Sequence, residues 1–187
     1  IGTSVRGKSA MPKFVITGAS GGGKSTLIKS LSAAGYTCAP EAGRQIVAEQ
    51  LASNGTALPW ADKAAFMDLL FARSIAAFDQ IAETAGQSVF FDRSFIEAIA
   101  YGEVIGRQPP RFMLEAVAER RFDNPVFVCP PWEAIFARDA ERRHDFNFAI
   151  RDYEANLAAY SAAGYDLLEI PRASIAERRA FVINMLG

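Results

Sequence analysis

A short glycine-rich segment carries the clearest chemical signal in the chain. Residues 18–25 read Gly-Ala-Ser-Gly-Gly-Gly-Lys-Ser, which fits the pattern G-x-x-x-x-G-K-[ST]. Glycines let several backbone N–H groups approach a polyphosphate without steric clash. Lys24 adds a positive charge for the β- and γ-phosphates, and the Ser25 hydroxyl is the expected Mg²⁺ ligand. The segment is therefore predicted to be a P-loop, the Walker A motif.

The predicted cofactors of this loop are ATP and Mg²⁺. An apolar run that reads as a strand, Phe14 to Ile16, precedes the loop, and helical spacing of apolar residues follows it. Both halves of the context that a P-loop requires are thus present. We expect the nucleotide to be bound by the whole loop and the residue after it, namely Gly18, Ala19, Ser20, Gly21, Gly22, Gly23, Lys24, Ser25 and Thr26.

An acidic residue closes the apolar run Ser88-Val-Phe-Phe-Asp92. This is the Walker B position, where Asp92 would support Mg²⁺ beside Ser25. The alternative is that Asp92 and Ser94 only cap the helix that follows. Arg93 has two interpretations as well. It could contact substrate or phosphate, or it could form a plain salt bridge to Asp92 or Glu97.

A second carboxylate lies in the segment Pro40-Glu41-Ala-Gly-Arg44. After a parallel strand, Glu41 would face the γ-phosphate across the cleft, where it could accept a proton from an acceptor hydroxyl. Arg44 could clamp an anionic or planar group of the substrate. The alternative is a solvated helix start, where the helix dipole favours glutamate in any case.

Arginines follow the fourth predicted strand. Arg138 and Arg142 are four residues apart and share a helix face, with Arg143 beside them. In a phosphotransferase such arginines stabilise charge on the transferring phosphoryl group, whereas the alternative is a charged surface helix. Arg172, after the fifth strand, is placed where an adenine edge could be bound.

The elements that must position these residues alternate regularly between strand and helix. Strands are predicted near 13–17, 36–39, 88–92, 126–129 and 165–170, with helices near 24–34, 45–52, 59–84, 94–104, 109–121, 132–143, 146–163 and from Ser174 onward. Ser174 and Glu177 form a capping box for the last helix. This order predicts an α/β fold, with an open parallel five-stranded sheet between layers of helices.

Composition sets limits on the class of protein. The 187 residues suit one domain, which we place at 11–187 with a helical lid around 131–145. Residues 1–10 are interpreted as a cloning remnant before Met11. The formal net charge of −1 gives no strong signal for nucleic-acid binding, and no apolar run is long enough for a membrane helix. Cys38 and Cys129 lack metal or redox spacing, so we expect reduced core cysteines in a cytoplasmic protein.

Several segments together resemble P-loop kinases of the nucleoside and nucleotide kinase type, and more closely the bacterial predicted-ATPase group of AAA domains, which is similar in pattern to nicotinamide riboside kinase. The segments are FVITGASGGGKSTL, CAPEAGRQIV, VFFDRSFIEAIAY, PPW followed by ARDAERR, and YDLLEIPRASIAERRAFV. The resemblance to deoxynucleoside kinases implies that Glu41 is the base and Arg93 a substrate or phosphate contact. It also implies that Arg138, Arg142 and Arg143 belong to the lid. The triplet here is Asp-Arg-Ser rather than Glu-Arg-Ser, so Asp92 is expected to be a closer metal partner.

Two functions are compatible with these residues. The first is an Mg-ATP-dependent kinase that transfers the γ-phosphoryl group to a small hydroxyl-bearing, nucleoside-like acceptor. Its catalytic residues would be Lys24, Glu41, Asp92, Arg138 and Arg142, and its substrate would contact Glu41, Arg44 and Arg93. The second is a regulatory NTPase that hydrolyses ATP slowly and acts on a protein or RNA partner. The sequence leaves the acceptor and the oligomeric state open.

Overall fold

The computed structural model of the protein describes residues 11–81, 87–136 and 146–186. Five parallel strands form one sheet in the order β2-β3-β1-β4-β5, which confirms the predicted α/β architecture. The strands are β1 (Lys13–Gly18), β2 (Thr37–Ala39), β3 (Val89–Asp92), β4 (Val126–Cys129) and β5 (Leu167–Glu169). The two strands beside β1 matter most for function, because their carboxyl ends flank the glycine-rich loop.

Helices connect the strands. They are α1 (Lys24–Ala33), α2 (Ala42–Ala52), α3 (Lys63–Gln80), α4 (Phe95–Val104), α5 (Arg111–Ala118), α6 (Phe146–Ala162) and α7 (Ile175–Asn184). The predicted capping box of the last helix is confirmed, since Ser174 accepts a hydrogen bond from the Glu177 N–H and the Glu177 carboxylate accepts one from the Ser174 N–H. No helix in the three described ranges is both long and apolar enough to cross a membrane.

The sheet divides the core into two apolar layers. Alternate side chains of a strand point to opposite faces, so Phe14 and Ile16 pack toward α1 and α7 while Val15 packs toward α3, α4 and α6. Leu27 and Val182 fill the first layer, and both are fully buried. Because both faces are covered, Phe14, Val15 and Ile16 of β1 form a continuous apolar run rather than an alternating pattern.

The register of the central strands brings the chemical residues to one edge. Ile16 of β1 pairs with Asp92 of β3, and Gly18 pairs with Cys129 of β4. Strands of a parallel sheet all end on the same side, where ligands bind in open α/β folds. Asp92 and the start of the glycine-rich loop are therefore fixed by backbone pairing, with no dependence on a flexible connection.

The predicted start of the second helix near residue 45 is three residues too late. Helix α2 begins at Ala42, with Glu41 at the N-cap, so Arg44 lies in the first turn. The first turn of α2 is part of its packed face, since Ala42 is buried together with Ile46 and Val47. Tertiary packing of this kind can outweigh the low helix propensity of Gly43.

The predicted helix from Trp132 is also wrong in its described part. Residues Glu133–Ile135 form a single turn of 3₁₀ helix, and Phe136 returns to extended backbone. The extended conformation of Trp132, directly after two prolines, leaves no helical N-terminus on which an α-helix could start. The rest of the predicted helix and lid, 137–145, lies outside the described residues.

Other differences from prediction are limited to the ends of elements. Helix α3 starts at Lys63 because the Asp62 carboxylate accepts a hydrogen bond from the Ala65 N–H, and it ends at Gln80 because Ile81 is extended. Helix α5 ends at Ala118, and β5 comprises only Leu167–Glu169. None of these shifts moves a candidate site residue.

Candidate active site

The loop between β1 and α1 forms a cradle of backbone groups. Gly23 is the N-cap of α1 and has a φ of 79°, in the left-handed region that favours glycine. The Ala19 N–H donates to the Cys129 carbonyl over 3.0 Å, which ties the loop to the end of β4. Helix α1 directs its positive end at the loop. This arrangement can hold a polyphosphate.

Gly18 is required by a close approach between strands. A Cβ at this position would lie 2.1 Å from the Cys129 carbonyl oxygen, and the residue has a φ of 133°. Any side chain here would push β1 and β4 apart. The first glycine of the motif thus allows the packing that brings the loop to the edge of the sheet.

Lys24 begins α1 and is buried, with 5 % of its surface exposed. Its neighbours Ser25 and Thr26 line the same cavity, which has a volume of about 850 Å³. Cavities of this order accommodate small-molecule ligands. The predicted phosphate-binding residues therefore lie at the wall of a ligand-sized space.

Asp92 ends β3 and is 6 % exposed. Burial raises the pKa of its carboxyl to about 6; the charge of Lys24 lowers that pKa, and the charge of Glu41 raises it. Its Oδ1 atom has no hydrogen-bond partner among the described residues. A buried carboxylate oxygen without a partner, beside a phosphate cradle, fits the support of a divalent cation.

The capping interpretation applies to Ser94 and not to Asp92. The Ser94 Oγ accepts a hydrogen bond from the Ile96 N–H over 3.2 Å and starts α4. Asp92 belongs to β3 and lines the cavity. The two predicted alternatives are thus divided between two residues.

Arg93 connects three carboxylates. Its Nε lies 3.3 Å from Glu41 Oε1, its Nη1 donates to Glu97, and the same Nη1 lies 3.9 Å from Asp152 Oδ2. Burial lowers the pKa of its guanidinium, but the carboxylates outweigh burial and hold that pKa well above its ordinary value. Its φ of 68° is uncommon for a residue with a side chain. With this backbone conformation Arg93 forms part of the cavity lining.

Glu97 is a buried hub that the sequence suggested only as a possible salt-bridge partner. Thr17 Oγ1 donates to its Oε1 over 2.5 Å, and the Tyr160 hydroxyl donates to the same oxygen over 3.2 Å. Ser94 Oγ lies 2.7 Å from that hydroxyl. Burial and the nearby Glu97 raise the pKa of Tyr160 well above its usual range. The network joins β1, α4 and α6 behind Arg93, so it fixes the guanidinium in place.

Glu41 lies at the start of α2 on the cavity wall. Its two oxygens meet two guanidinium groups, since Arg44 Nε lies 3.2 Å from Oε2 and Arg93 Nε lies near Oε1. Arg44 is partly exposed and also lines the cavity. The structure therefore brings together the three residues predicted to meet the substrate.

Helix α6 contributes two polar residues that the sequence analysis missed. Asp152 and Asn156 are four residues apart, so they share a face, and both line the cavity. The buried residues of α6 are Ala149, Asn156 and Tyr160. A polar residue four positions before a buried tyrosine was the signal that could have identified Asn156.

Apolar side chains form a large part of the cavity lining. This apolar lining includes aromatic and aliphatic side chains from α2, α3, α4 and α6 and from the connection before α3, among them Val47, Trp60, Phe66, Leu70, Tyr101 and Phe148. Phe66 and Tyr101 make an edge-to-face contact with ring centroids 5.5 Å apart.

Arg178 of α7 is a further residue that the sequence did not single out. It is 3 % exposed and donates to the Gly22 carbonyl over 3.1 Å and to the Gly23 carbonyl over 3.4 Å. Its guanidinium carbon lies 5.7 Å from the centroid of the Trp132 ring. Arg178 thus supports the glycine-rich loop from behind, and its position within the last helix carried no motif that would reveal this.

The remaining predicted residues lie elsewhere. Arg172 donates to the Pro131 carbonyl, with distances of 3.1 and 2.9 Å from Nε and Nη2, while Ala173 and Ile175 line the cavity. Its contact with a nucleotide base stays a prediction. Arg138 and Arg142 lie outside the described residues, and so does Arg143.

The described residues contain no group of three or more His, Cys, Asp or Glu side chains arranged to hold a metal ion. At phosphate sites proteins bind Mg²⁺ through one or two protein oxygens, which act together with substrate phosphates and water. Ser25 and Asp92 are the residues that could supply those oxygens. The donor set fits Mg²⁺ bound together with a nucleotide rather than a preformed protein cage.

Comparison with known proteins places the chain in a family. Residues 13–178 match a family model described as an AAA domain. No curated protein sequence matches the chain.

Solved structures that resemble the chain in fold include two kinases and the protein NadR. A structure of NadR protein in complex with NR matches with a TM-score of 0.70 at 15% identity, over 96% of this chain and 51% of that one. Deoxyadenosine kinase from M. mycoides matches with a TM-score of 0.61 at 14% identity, over 93% and 97% of the two chains. Thymidylate kinase from Ehrlichia chaffeensis matches with a TM-score of 0.62 at 16% identity, over 94% and 100%.

The chain spans about half the length of the NadR chain and nearly the whole length of the two kinases. At these identities the likeness concerns the fold, and it agrees with the parallel sheet and the glycine-rich loop described above. The match to the family model covers most of the chain. The chain belongs to the AAA domain family and has an α/β P-loop NTPase fold of the kinase-like type.

Proposed function

We propose that the protein is an Mg-ATP-dependent phosphotransferase that acts on a hydroxyl group of a small, nucleoside-like acceptor. The observation that carries this proposal is the continuity of one cavity. Lys24 and Asp92, the residues predicted to serve phosphate and metal, line the same cavity as Glu41, Arg44 and Arg93. A site that only hydrolyses nucleotide needs no second compartment with its own ionic groups.

The groups that would hold Mg-ATP fit the cradle. The loop N–H groups and Lys24 would bind the phosphates, while Ser25 and the buried Oδ1 of Asp92 would serve the metal. Bound Mg-ATP supplies the γ-phosphoryl group, whose bond to the β-phosphate oxygen breaks as a bond to the acceptor oxygen forms. The protein contributes position and charge stabilisation, which are the main terms in phosphoryl transfer.

Glu41 is the group that would receive the proton of the acceptor hydroxyl. Arg93 and Arg44 hold its carboxylate from both sides, so its orientation toward the cavity is fixed before an acceptor enters. Arg93 is itself held by Glu97 and its hydrogen-bond network. Glu41 thus acts as the base, and Arg93 acts as a positioning residue that also reaches the cavity.

The likeness to kinases does not favour the regulatory NTPase alternative. Hydrolysis of ATP without an acceptor would also give the ionic groups around Glu41 no role in the reaction. A cytoplasmic location would suit such an enzyme, and it remains part of this proposal.

The substitution Glu41→Gln tests the proposal. It keeps the size of the side chain and removes the base, so transfer to an acceptor should fall by about 10²- to 10⁴-fold, while slow ATP hydrolysis stays close to wild type. The matched control is Glu103→Gln, on the exposed side of α4. Equal transfer rates for Glu41→Gln and wild type would remove Glu41 from the role of base.

A further inference from the structure

The acceptor side of the cavity contains a buried donor without a partner. Asn156 is 2 % exposed, lines the cavity, and its Nδ2 has no hydrogen-bond partner among the residues described. Buried amide groups are nearly always hydrogen-bonded, because leaving one unpaired costs about 1–3 kcal/mol. A buried donor without a partner, on a residue that lines a ligand-sized space, indicates that a ligand atom accepts its hydrogen bond.

We call the part of the cavity around Glu41, Arg44, Arg93 and Asp152 the acceptor compartment. Its two arginines are already paired with carboxylates. Arg93 is engaged by Glu41, Glu97 and Asp152, and Arg44 is engaged by Glu41. In the described part of the compartment, three carboxylates therefore face two guanidinium groups. A phosphate group on the acceptor would have to displace a carboxylate from an arginine. The phosphate would then lie beside the displaced carboxylate.

That displacement is unfavourable for two reasons. Glu97 is buried and is held by Thr17 and Tyr160 as well as by Arg93, so it cannot turn away to solvent. Like charges brought together in a partly buried site repel one another strongly, because little water screens them. The compartment therefore disfavours an anionic group where Arg93 lies.

The same cavity also has an aromatic lining. Trp60 and Phe66 contribute to it, and Phe148 lies one helical turn before Asp152 on α6. A molecule with a flat ring and hydroxyl groups would bury its ring against these aromatic side chains and hydrogen-bond the polar side chains beside them.

We propose that the compartment selects an unphosphorylated acceptor with a planar ring and hydroxyl groups, and that Asn156 donates a hydrogen bond to it. This inference rests on the proposed kinase function and deepens it. The chain then acts on nucleosides or nucleoside-like compounds and discriminates against their monophosphates. Asn156 contributes to the recognition of the nucleoside, and the ionic network of Arg93 disfavours binding of the phosphate group of a monophosphate.

The test compares matched pairs of acceptors in the presence of Mg-ATP. Deoxyadenosine, thymidine, adenosine and cytidine are each assayed beside their own 5′-monophosphates, and the phosphorylated product is quantified. The inference predicts that kcat/KM for the accepted nucleoside exceeds that for its monophosphate by at least about a hundredfold, as expected when a site must leave buried groups unpaired or oppose a charge. A monophosphate used as well as its nucleoside, or better, overturns it.

Variants separate recognition from folding. Asn156→Ala should raise KM for the nucleoside about tenfold, the value of one hydrogen bond, and leave KM for ATP unchanged. The matched control is Asn184→Ala, at the exposed end of α7. Asp152→Asn removes one carboxylate without changing the size of the side chain. It should lower the ratio of kcat/KM for the nucleoside to kcat/KM for its monophosphate.

Each outcome bears on a different statement. If a nucleoside is phosphorylated but neither Asn156→Ala nor Asp152→Asn changes the acceptor parameters, the assigned recognition is wrong and the kinase function stands. If the protein binds Mg-ATP and phosphorylates neither series, the proposed function itself is contradicted, and this inference falls with it. Thermal unfolding of each variant shows whether a lost activity reflects a lost fold.

Discussion

Arg93 Nε lies 3.3 Å from Glu41 Oε1, so the residue after β3 holds the residue at the start of α2. The two residues are far apart in sequence and come from neighbouring strands of the sheet. Their contact joins the proposed base to the buried network of Glu97. The geometry of the acceptor side therefore depends on a single guanidinium.

Replacing Arg93 by lysine tests this dependence. An ammonium group is a single point of charge and cannot contact Glu41, Glu97 and Asp152 together, as the planar fork does. We expect kcat for transfer to fall at least tenfold and the melting temperature to fall by several degrees, because a buried carboxylate loses its partner. Steady-state kinetics and thermal unfolding measure both.

The control for that prediction is Arg111→Lys on α5. The Arg111 side chain is 91% exposed and pairs only with its own helix at Glu115 among the described contacts. Exposed pairs of this kind contribute little to stability. If kcat for Arg93→Lys lies within twofold of the value for this control, and the melting temperatures are equal, the planar guanidinium of Arg93 has no special role.

Lys24→Ala should weaken ATP binding by at least tenfold. Lys24 lies at the first position of α1, beside the cradle, and supplies the positive charge for the phosphates. Lys29→Ala is the matched control, because Lys29 is on the same helix but exposed. Titration calorimetry with Mg-ATP measures the affinities. An unchanged affinity in Lys24→Ala would contradict the assignment of the loop.

Arg178→Lys should raise KM for ATP about tenfold and leave KM for the acceptor unchanged. Lysine cannot donate to the Gly22 and Gly23 carbonyls with the geometry of the guanidinium, so the loop would lose its support from α7. Arg179→Lys is the control, since Arg179 donates to Ser30 on the far side of α1. Equal effects on both Michaelis constants would indicate a general loss of structure instead.

The thiol of Cys38 should react slowly at neutral pH. Burial, and then the charge of Asp92, raise its pKa from 9.0 to about 11. Because only the thiolate is nucleophilic, the rate of alkylation at pH 8 should be about a hundredfold below that of the unfolded chain, and it should increase up to about pH 11. Mass spectrometry of iodoacetamide adducts follows the rate. Alkylation of the native protein at the unfolded rate would contradict the shift.

The sequence was sufficient to predict the sheet and the phosphate side of the site. Both depend on local signals: the spacing of Gly18, Gly23 and Lys24, and an acidic residue at the end of a short apolar strand. Backbone pairing between β1 and β3 then places Asp92 without help from any side chain. Local patterns of this kind can be recognised in the sequence because the fold allows few other arrangements of these residues.

The acceptor side was only partly predictable. Asp152 and Arg178 contact residues more than fifty positions away, and Asn156 is buried at the cavity lining. In the sequence all three resemble ordinary polar residues of helices. Their burial depends on how α6 and α7 pack against the sheet. The 3₁₀ turn at Glu133–Ile135 follows two prolines, which outweighed the helical pattern of the sequence there.

The most direct test of the account is ATP turnover by the purified protein with Mg²⁺, with and without a panel of nucleosides, with the phosphorylated product identified by mass spectrometry. The account predicts that one nucleoside-like compound raises turnover sharply and appears as its monophosphate, and that Glu41→Gln abolishes this product while Glu103→Gln retains it. Slow turnover that no compound accelerates, equal in both variants, would contradict the proposed phosphotransferase.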